Sequence, residues 1–218
     1  TPLHADVLAS HSWSSNVCGA KKWWLFPPSE TSKLQDTAGV YVDDVRLVFY
    51  DVERFPRVAD AACLRVTQPP WSTLFVPSDW RHMVVNVGVT LSINHNWFEA
   101  GALPKVWRYL DTEARATAAE LEACSTDVKR RGGESSEFFW LCERVLRASA
   151  RLNVSDFVAM CHGEVCTRDT LAPAGSAPED ERRVRDGVRH VLRAVAADHA
   201  DSLFPVSYTH LRAHETKC

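Results

Sequence analysis

Hydrophobic and polar residues alternate over short runs in the first half of the chain, with the period of two that is typical of half-buried β-strands. Glycine or proline marks a turn between runs at Gly19, at 68–72 and at Gly88. Short strands separated by such turns favour a double-sheet jelly roll of the cupin type. The predicted strands are a first one around His4 and Asp6, then 21–26, 45–50, 62–67, 73–76 (returning from the turn at 68–72), 81–87 and 89–94.

From Pro104 onward the hydrophobic period changes to about 3.6 residues, which is the repeat of an amphipathic helix. We expect a helix after Pro104, a second from Ser135 or Ser136, a short third from Ser155 and a fourth over 178–199. The predicted fold class is therefore mainly β with an α-helical appendage, with a core at 1–100 and a helical region at 101–205. The apolar stripes of the first two helices are Val106, Leu110, Ala114, Thr117, Leu121 and Cys124, and then Phe138, Phe139, Leu141, Val145 and Leu146.

The last thirteen positions, 206–218, do not fit this pattern. They resemble the peptide that results when sequencing-adaptor DNA is translated, and we expect a non-native tail here. His210 and His214 have the i, i+4 spacing of helical metal ligands, but as part of this tail they are not candidates.

Composition excludes several classes of function. The chain has 218 residues, with 25 Lys and Arg against 28 Asp and Glu, and a net charge of −3. This balance provides no basic surface for nucleic acid. No apolar run reaches the length of about 18 residues that a membrane-spanning helix needs. Seven scattered cysteines favour reduced thiols over a disulfide framework, which predicts an intracellular protein, in the cytoplasm and also in the nucleus.

Two residues near the start of the chain have the spacing of metal ligands. His4 and Asp6 are two positions apart, and in a strand residues i and i+2 point to the same face. Two ligands hold a catalytic metal poorly, so a second histidine is needed, and His82 is the best candidate. Two histidines and one carboxylate form the facial triad of non-haem Fe(II) oxygenases, which leaves open positions for substrates. Lys21 supplies a cation between the two ligand segments.

An ordered set of motifs resembles one family. It consists of His4-x-Asp6, Lys21, Trp80-x-His82 with Asn86, and the sequence Ser-Ile-Asn-His-Asn-Trp at 92–97. From Thr1 to about Cys161 the chain resembles the JmjC-domain 2-oxoglutarate-dependent oxygenases. Within this family it is most similar to members that hydroxylate a lysine of the eukaryotic class 1 translation release factor. It departs from the family pattern in two turns, with Pro-Pro-Trp at 69–71 and with Asp79, where relatives carry glycine.

The resemblance implies a role for each site residue. His4, Asp6 and His82 would bind Fe(II), and Lys21 would bind the distal carboxylate of 2-oxoglutarate. Thr1 matches a family position whose hydroxyl contacts that carboxylate, and Asn94 and Asn96 would hydrogen-bond the cosubstrate or the substrate. Oxygen is the second cosubstrate. The first strands of the barrel are expected before Thr1, so the core is expected to be N-terminally incomplete.

The resemblance also implies partners. The expected partner is a protein substrate, most similar to the translation release factor, with no nucleic acid and no membrane. Related oxygenases dimerise through C-terminal helices, so the helical region predicts either a homodimer or a cover for the barrel. Three alternatives stay open: a cupin-fold binding protein without turnover, a truncated inactive fragment, and a JmjC hydroxylase or demethylase with another protein substrate. His11 and His95 are interpreted as structural or substrate-side residues rather than metal ligands. The tryptophans are interpreted as core residues rather than a recognition cage, namely Trp23, Trp24, Trp80 and Trp97.

Overall fold

A computed structural model describes residues 1–48, 51–124, 135–171 and 178–198. The chain divides into two compact units, Thr1–Phe98 and Glu99–Cys218. The predicted tail at 206–218 lies outside the described residues.

The first unit contains a four-stranded antiparallel sheet. Its strands are β1 (His11–Phe26), β2 (Leu64–Gln68), β3 (Ser72–Val76) and β4 (Arg81–Trp97). β1 lies in the centre and pairs with β4 along its whole length. On its other side it pairs with β2 through its C-terminal half and with β3 through its N-terminal half. β1 therefore contacts every other strand of the sheet.

The two long strands are continuous through the glycines at which turns were predicted. The pairing of β1 with β4 shifts from Cys18–Leu91 to Ala20–Val87, so three residues of β4 lie opposite Gly19 alone. This irregularity is a β-bulge, in which extra residues bend the strand without ending it. Gly19 and Gly88 both have positive φ, 74° and 73°, which a tight turn would also require. The turns predicted at Gly19 and Gly88 are wrong, because glycine with positive φ occurs both in tight turns and in β-bulges.

β2 and β3 follow one another in the same direction, because both run antiparallel to β1. The turn predicted at 68–72 is therefore a kink, and the prediction that β3 returns along β2 is wrong. The Trp71 backbone N–H donates to the Asn16 carbonyl at 2.7 Å, which ties the kink to β1. Trp71 and Asp79, the two positions that depart from the family glycines, both have positive φ, 61° and 63°.

Two further predicted strands are absent from the described residues. His4 forms a single isolated bridge with His82, and Asp6 immediately precedes a 3₁₀ turn at Val7–Ala9. The run predicted at 45–50 forms turns up to Val48, and residues 49–50 lie outside the described part. Its valines Val45 and Val48 pack against a buried cluster that includes Leu34, Phe26 and Met83, so their hydrophobicity serves packing rather than pairing.

The two faces of the sheet carry different clusters. Trp24 and Phe26 alternate with Trp23 and Leu25 along β1, as period-two burial requires. Phe26 belongs to the cluster with Leu34 and Met83. Trp23 and Leu25 pack with Val76 and Val84 on the opposite face. This second face carries the candidate site.

The second unit is helical: α1 (Leu103–Cys124), α2 (Ser135–Ala150), α3 (Val154–Leu171) and α4 (Glu179–Asp198). The four predicted helices are confirmed, although α3 is longer than the short helix expected. On α2 the predicted apolar residues Leu141 and Val145 are more than a third exposed, while Phe139 and Leu146 are buried. None of the helices within the described residues is long and apolar enough to span a bilayer.

The fold class matches its prediction in outline. An antiparallel sheet is followed by helices, but more of the described residues lie in helices than in strands, so "mainly β" holds for the first unit only. Five cysteines of the described ranges are free, namely Cys18, Cys63, Cys124, Cys142 and Cys161.

Candidate metal centre

The His4 and His82 side chains meet because their backbones are paired. The His4 N–H donates to the His82 carbonyl at 3.1 Å, and the His82 N–H donates to the His4 carbonyl at 2.8 Å. The two imidazole ring centroids lie 4.2 Å apart. His82 thus lies at the start of β4, and the bridge between His4 and His82 holds the N-terminal segment beside this strand.

Asp6 completes a group of three potential ligands. The chain bends after Asp6, where Leu8 and Ala9 have positive φ. The potential ligand atoms of His4, Asp6 and His82 all lie within 4.8 Å of one another. Two imidazole nitrogens and a carboxylate oxygen at this separation fit one divalent ion such as Fe(II).

Each of the three side chains is oriented by a neighbouring group. The Nδ1 atoms of His4 and His82 lie 2.9 Å from the Pro2 carbonyl oxygen and 3.1 Å from the Trp80 carbonyl oxygen. A carbonyl accepts only, so these contacts assign the proton to Nδ1 and leave the lone pair on Nε2. Ser12 Oγ donates to Asp6 Oδ2 at 2.7 Å. Such outer contacts hold metal ligands in position and raise metal affinity.

The electrostatic environment favours the neutral imidazole that a metal requires. His82 is buried, with 4% of its surface exposed. This burial, together with the adjacent His4 ring, lowers the pKa of His82. The lowered pKa favours the neutral form of His82, which is the form that binds a metal cation.

A cavity of about 330 Å³ opens in front of these residues. All of its lining residues belong to the unit Thr1–Phe98. Its only acidic lining residue within the described chain is Asp6, and most of the others carry hydroxyl or amide groups. The lining consists of Thr1, His4, Asp6, Ser12, Trp13, Ser14, Lys21, Trp23, His82, Val84, Asn86, Ser92, Asn94 and Asn96.

Lys21 brings a cation into this cavity, and its partners among the described residues are uncharged. Its side chain is 6% exposed, and its Nζ donates to Ser14 Oγ at 2.9 Å and to Ser92 Oγ at 3.0 Å. The ammonium also lies 5.1 Å from the centroid of the Trp23 ring. It forms no ion pair with any residue that the structure describes, and burial lowers the pKa of Lys21. A buried ammonium with only neutral partners is a suitable site for an anionic ligand.

Thr1, Asn94 and Asn96 all line the cavity, as their predicted contact with a cosubstrate or substrate requires. The Thr1 amino group donates to the Val84 carbonyl at 2.8 Å, which places the residue beside β4. Asn96 Nδ2 donates to Ser10 Oγ at 3.1 Å. The pairing register places Asn94 opposite Ser14.

His11 and His95 lie apart from the cavity lining. His11 Nδ1 accepts a hydrogen bond from the Ser78 backbone at 3.0 Å, and its ring stacks on Phe75. The His95 ring lies 6.1 Å from that of Trp13. Neither histidine lines the cavity.

Sequence reasoning missed the polar residues that support the site. Ser12, Ser14 and Ser92 are too common to attract attention, and Gln68 lies outside the matching motifs. Trp23 was interpreted as a core residue, and it is buried, but it also lines the cavity. The period of two along β1 could not reveal them, because Ser12 and Ser14 are an odd number of positions from Lys21 and share its face only through the irregular pairing between Asn16 and Ala20.

Comparison with known proteins agrees with this geometry. A family model described as "JmjC domain, hydroxylase" matches residues 1–97. The chain is 34% identical over 159 residues to the 2-oxoglutarate and iron-dependent oxygenase JMJD4 of Mus musculus, which covers 72% of this chain and 36% of that protein. It is 29% identical over 202 residues to JMJD4 of Danio rerio, covering 92% of this chain and 46% of that protein.

A third relative has a different name. The chain is 38% identical over 160 residues to the arginine-specific demethylase JMJ20 of Arabidopsis thaliana, covering 72% of this chain and 32% of that protein. The chain thus spans less than half the length of each of these three relatives.

Proposed function

Because residues 1–97 of the chain belong to the JmjC domain family, we propose that the protein is an Fe(II)- and 2-oxoglutarate-dependent protein hydroxylase. Fe(II), 2-oxoglutarate and O₂ are the cofactor and cosubstrates that the names of its relatives imply. The observation that carries the proposal is the presence in one cavity of the His4, Asp6 and His82 ligand atoms and a buried Lys21 that pairs with no carboxylate of the described residues. The three residues would hold the metal, and Lys21 would hold the distal carboxylate of the 2-oxo acid.

Bound Fe(II) supplies oxygen activation, by which one atom of O₂ enters a substrate C–H bond and the other enters succinate as 2-oxoglutarate loses carbon dioxide. The side chains of this protein bind and orient the reactants. Ser12 holds the Asp6 carboxylate, and the Pro2 and Trp80 carbonyls hold the imidazoles. These contacts fix the ligand atoms before the metal arrives, so little reorganisation is required on binding.

The polar part of the cavity suits binding of a carboxylate, and the apolar part limits the access of water. Lys21, Ser14 and Ser92 form the cationic end, which suits a carboxylate. Trp23 and Val84 belong to a buried apolar cluster that forms part of the lining and limits the access of water. Exclusion of water strengthens the attraction between the Lys21 ammonium and an anion.

We further propose that the substrate is a lysine of the translation termination factor. The support is the resemblance of three motifs to members with that activity, together with the similarity to JMJD4 proteins. The motifs are Thr-Pro-Leu-His-Ala-Asp at 1–6, Phe-Val-Pro-Ser at 75–78 and Ser-Ile-Asn-His-Asn-Trp at 92–97. The remaining expectations of this proposal are a jelly-roll closure of the described strands, a homodimer formed by the helices, and a cytoplasmic and nuclear location.

Arginine demethylation is the second candidate function, and the similarity to JMJ20 supports it. Both reactions use the same metal and the same 2-oxo acid. They differ in the substrate, so only a substrate test separates them.

The experiment is an anaerobic titration with Fe(II) and then 2-oxoglutarate, followed by addition of air and a peptide. We expect both ligands to bind, and succinate to form in proportion to hydroxylysine in a release-factor peptide. His82→Ala is the control that removes a ligand and should abolish Fe(II) binding. Succinate and formaldehyde release with a methylarginine peptide alone would favour the demethylase, and binding of both ligands without succinate would favour a non-catalytic protein.

A further inference from the structure

Gln68 lies at the last position of β2, directly before the kink that leads to β3. Its side chain is 2% exposed and makes three hydrogen bonds. Nε2 donates to the carbonyls of Ser14 at 2.8 Å and Ser72 at 3.0 Å. Oε1 accepts from the indole Nε1 of Trp23 at 2.9 Å. The orientation of the amide is fixed, because the reverse orientation would place its NH₂ group against the indole N–H and its oxygen against two carbonyls.

The indole that Gln68 holds lies between the two functional groups of the cavity. The Trp23 ring centroid is 5.1 Å from Lys21 Nζ and 5.8 Å from the His82 ring centroid. An ammonium over an indole face is attracted by the ring quadrupole, and the attraction depends on the angle of the ring. Rotation of the indole would therefore change the surroundings of Lys21.

Gln68 also reaches Lys21 by a second route. Lys21 contacts two hydroxyls, those of Ser14 and Ser92, in addition to the Trp23 ring. The Ser14 carbonyl is one of the two acceptors of the Gln68 amide. Two of these three contacts of the ammonium thus belong to residues that Gln68 holds.

We propose that Gln68 is a positioning residue of the carboxylate-binding site, which acts on Lys21 through Trp23 and Ser14. The inference rests on the proposed function, in which Lys21 binds the distal carboxylate of 2-oxoglutarate. Gln68 does not line the cavity and is not a metal ligand. Its role is to hold the ammonium in the position where a carboxylate can reach it.

The test measures 2-oxoglutarate affinity by calorimetry on the Mn(II)-loaded protein, without turnover. Gln68→Leu keeps the size of the side chain and removes all three hydrogen bonds. We expect it to weaken 2-oxoglutarate binding by roughly 3- to 10-fold, the size of a partly lost cation–π contact, while Mn(II) affinity stays unchanged. Gln35→Leu is the matched control, because Gln35 also donates to a backbone carbonyl, that of Gly39 at 3.1 Å, but lies outside the cavity lining.

A second variant tests the route through the indole. Trp23→Phe keeps an aromatic ring and removes the N–H that Gln68 accepts, whereas Trp24→Phe makes the same change at a residue that does not line the cavity. We expect Trp23→Phe to weaken 2-oxoglutarate binding and Trp24→Phe to leave it unchanged. In the double variant with Gln68→Leu the loss should be smaller than the product of the two single losses, because both act on one contact.

A readout without the cosubstrate separates this inference from the proposed function. In the ¹H–¹⁵N spectrum, the Trp23 indole N–H should exchange with solvent faster in Gln68→Leu than in the wild type. Wild-type protein that binds no 2-oxoglutarate would refute the proposed function. Wild-type protein that binds it, with Gln68→Leu equal to wild type in affinity while the indole exchange changes, would overturn the positioning role alone. A lowered unfolding temperature with unchanged affinity would show that Gln68 serves only the kink, and would overturn it as well.

Discussion

Two charged side chains of the cavity, Lys21 and Asp6, have polar but uncharged hydrogen-bond partners. Lys21 is buried among hydroxyls, and Asp6 shares its carboxylate with the Ser12 hydroxyl. Hydroxyl groups can donate or accept, so they satisfy a charged group without neutralising it. The charges of Lys21 and Asp6 thus remain available to a ligand and a metal.

Lys21→Ala should weaken 2-oxoglutarate binding without affecting the metal. The substitution removes a charge-assisted contact worth about 1.5–3 kcal/mol, which corresponds to roughly 10- to 150-fold in affinity. Fe(II) affinity should change little, because Lys21 is not among the three ligand candidates. Calorimetric titration of both ligands measures the two effects separately.

Lys22→Ala is the control for this prediction, because Lys22 is exposed on the opposite side of β1. It should leave 2-oxoglutarate affinity unchanged, and melting curves of both variants would detect a folding defect. Normal affinity in Lys21→Ala, or an equal loss in Lys22→Ala, would contradict the role of Lys21.

Ser12→Ala should weaken metal binding, because it removes the hydrogen bond that orients the Asp6 carboxylate. Loss of such an outer contact costs roughly 10- to 100-fold in metal affinity. Ser15→Ala is the matched control, since Ser15 lies on the other face of β1 and accepts its hydrogen bond from Thr73. Mn(II) titration followed by paramagnetic resonance measures the change, and equal affinities for the two variants would exclude a role for Ser12.

The elements that position these side chains depend on backbone conformations that only certain residues adopt. Irregular pairing between Asn16 and Ala20, a stretch that includes Gly19, keeps β1 and β4 together while shifting their register, so that Ser14 and Lys21 both face the cavity. Gly19 has no room for a side chain, because a Cβ built there would lie 2.3 Å from the Val89 carbonyl oxygen. Gly88 has the same positive φ but open space around its Cα.

Gly19→Ala should therefore destabilise the protein more than Gly88→Ala. The positive φ costs an alanine about 1–2 kcal/mol at either position. At Gly19 the backbone must also move to relieve the contact with Val89, which adds to that cost and disturbs the register. Urea unfolding of the two variants gives the comparison, and equal free energies of unfolding would show that the bulge relaxes freely.

In the helical unit, a buried carboxylate holds the start of α3. Glu143 is 1% exposed, and its two oxygens accept hydrogen bonds from the Val154 and Ser155 backbones at 3.2 and 2.9 Å. These are N–H groups at a helix start, which have no partner within the helix and attract a negative charge.

Glu143→Gln should lower the free energy of unfolding by about 0.5–2 kcal/mol, the range for loss of a helix cap. The amide keeps one acceptor but places a donor against the other N–H. Glu137→Gln, at an exposed position of the same helix α2, should change stability by less than about 0.5 kcal/mol. Chemical denaturation followed by helical circular dichroism measures both, and a neutral Glu143→Gln would show that the buried charge contributes no net stability.

Across the whole molecule, the metal and cosubstrate should stabilise one of the two units. Every residue that lines the cavity belongs to Thr1–Phe98. A ligand at 100 times its Kd stabilises the folded state by about 2.7 kcal/mol. We expect Mn(II) with 2-oxoglutarate to raise the unfolding temperature and to slow amide hydrogen exchange within this unit.

The same ligands should have no such effect on His4→Ala, which lacks one of the three ligand atoms. Hydrogen exchange measured by mass spectrometry gives the distribution along the chain. Protection confined to Glu99–Cys218 would place the binding site in the wrong unit.

The sequence by itself located β2, β3, parts of the two long strands and the four α-helices, although the strands predicted around His4 and at 45–50 were wrong. It also identified His4, Asp6, Lys21 and His82 as the residues to examine. Hydrophobic periodicity is a local property, so β2, β3 and all four helices could be located from it. The order of the motifs indicated the family, because its ligands occupy fixed positions along the chain.

Only the tertiary structure decided how these segments connect. Glycine with positive φ occurs in turns and in bulges, so Gly19 and Gly88 could not be assigned until their pairing was known. The direction of β3 follows from its pairing with β1, which is non-local. For the same reason the sequence held no signal for Gln68, whose partners Ser14 and Trp23 are more than forty positions away in the chain and meet it only across the sheet.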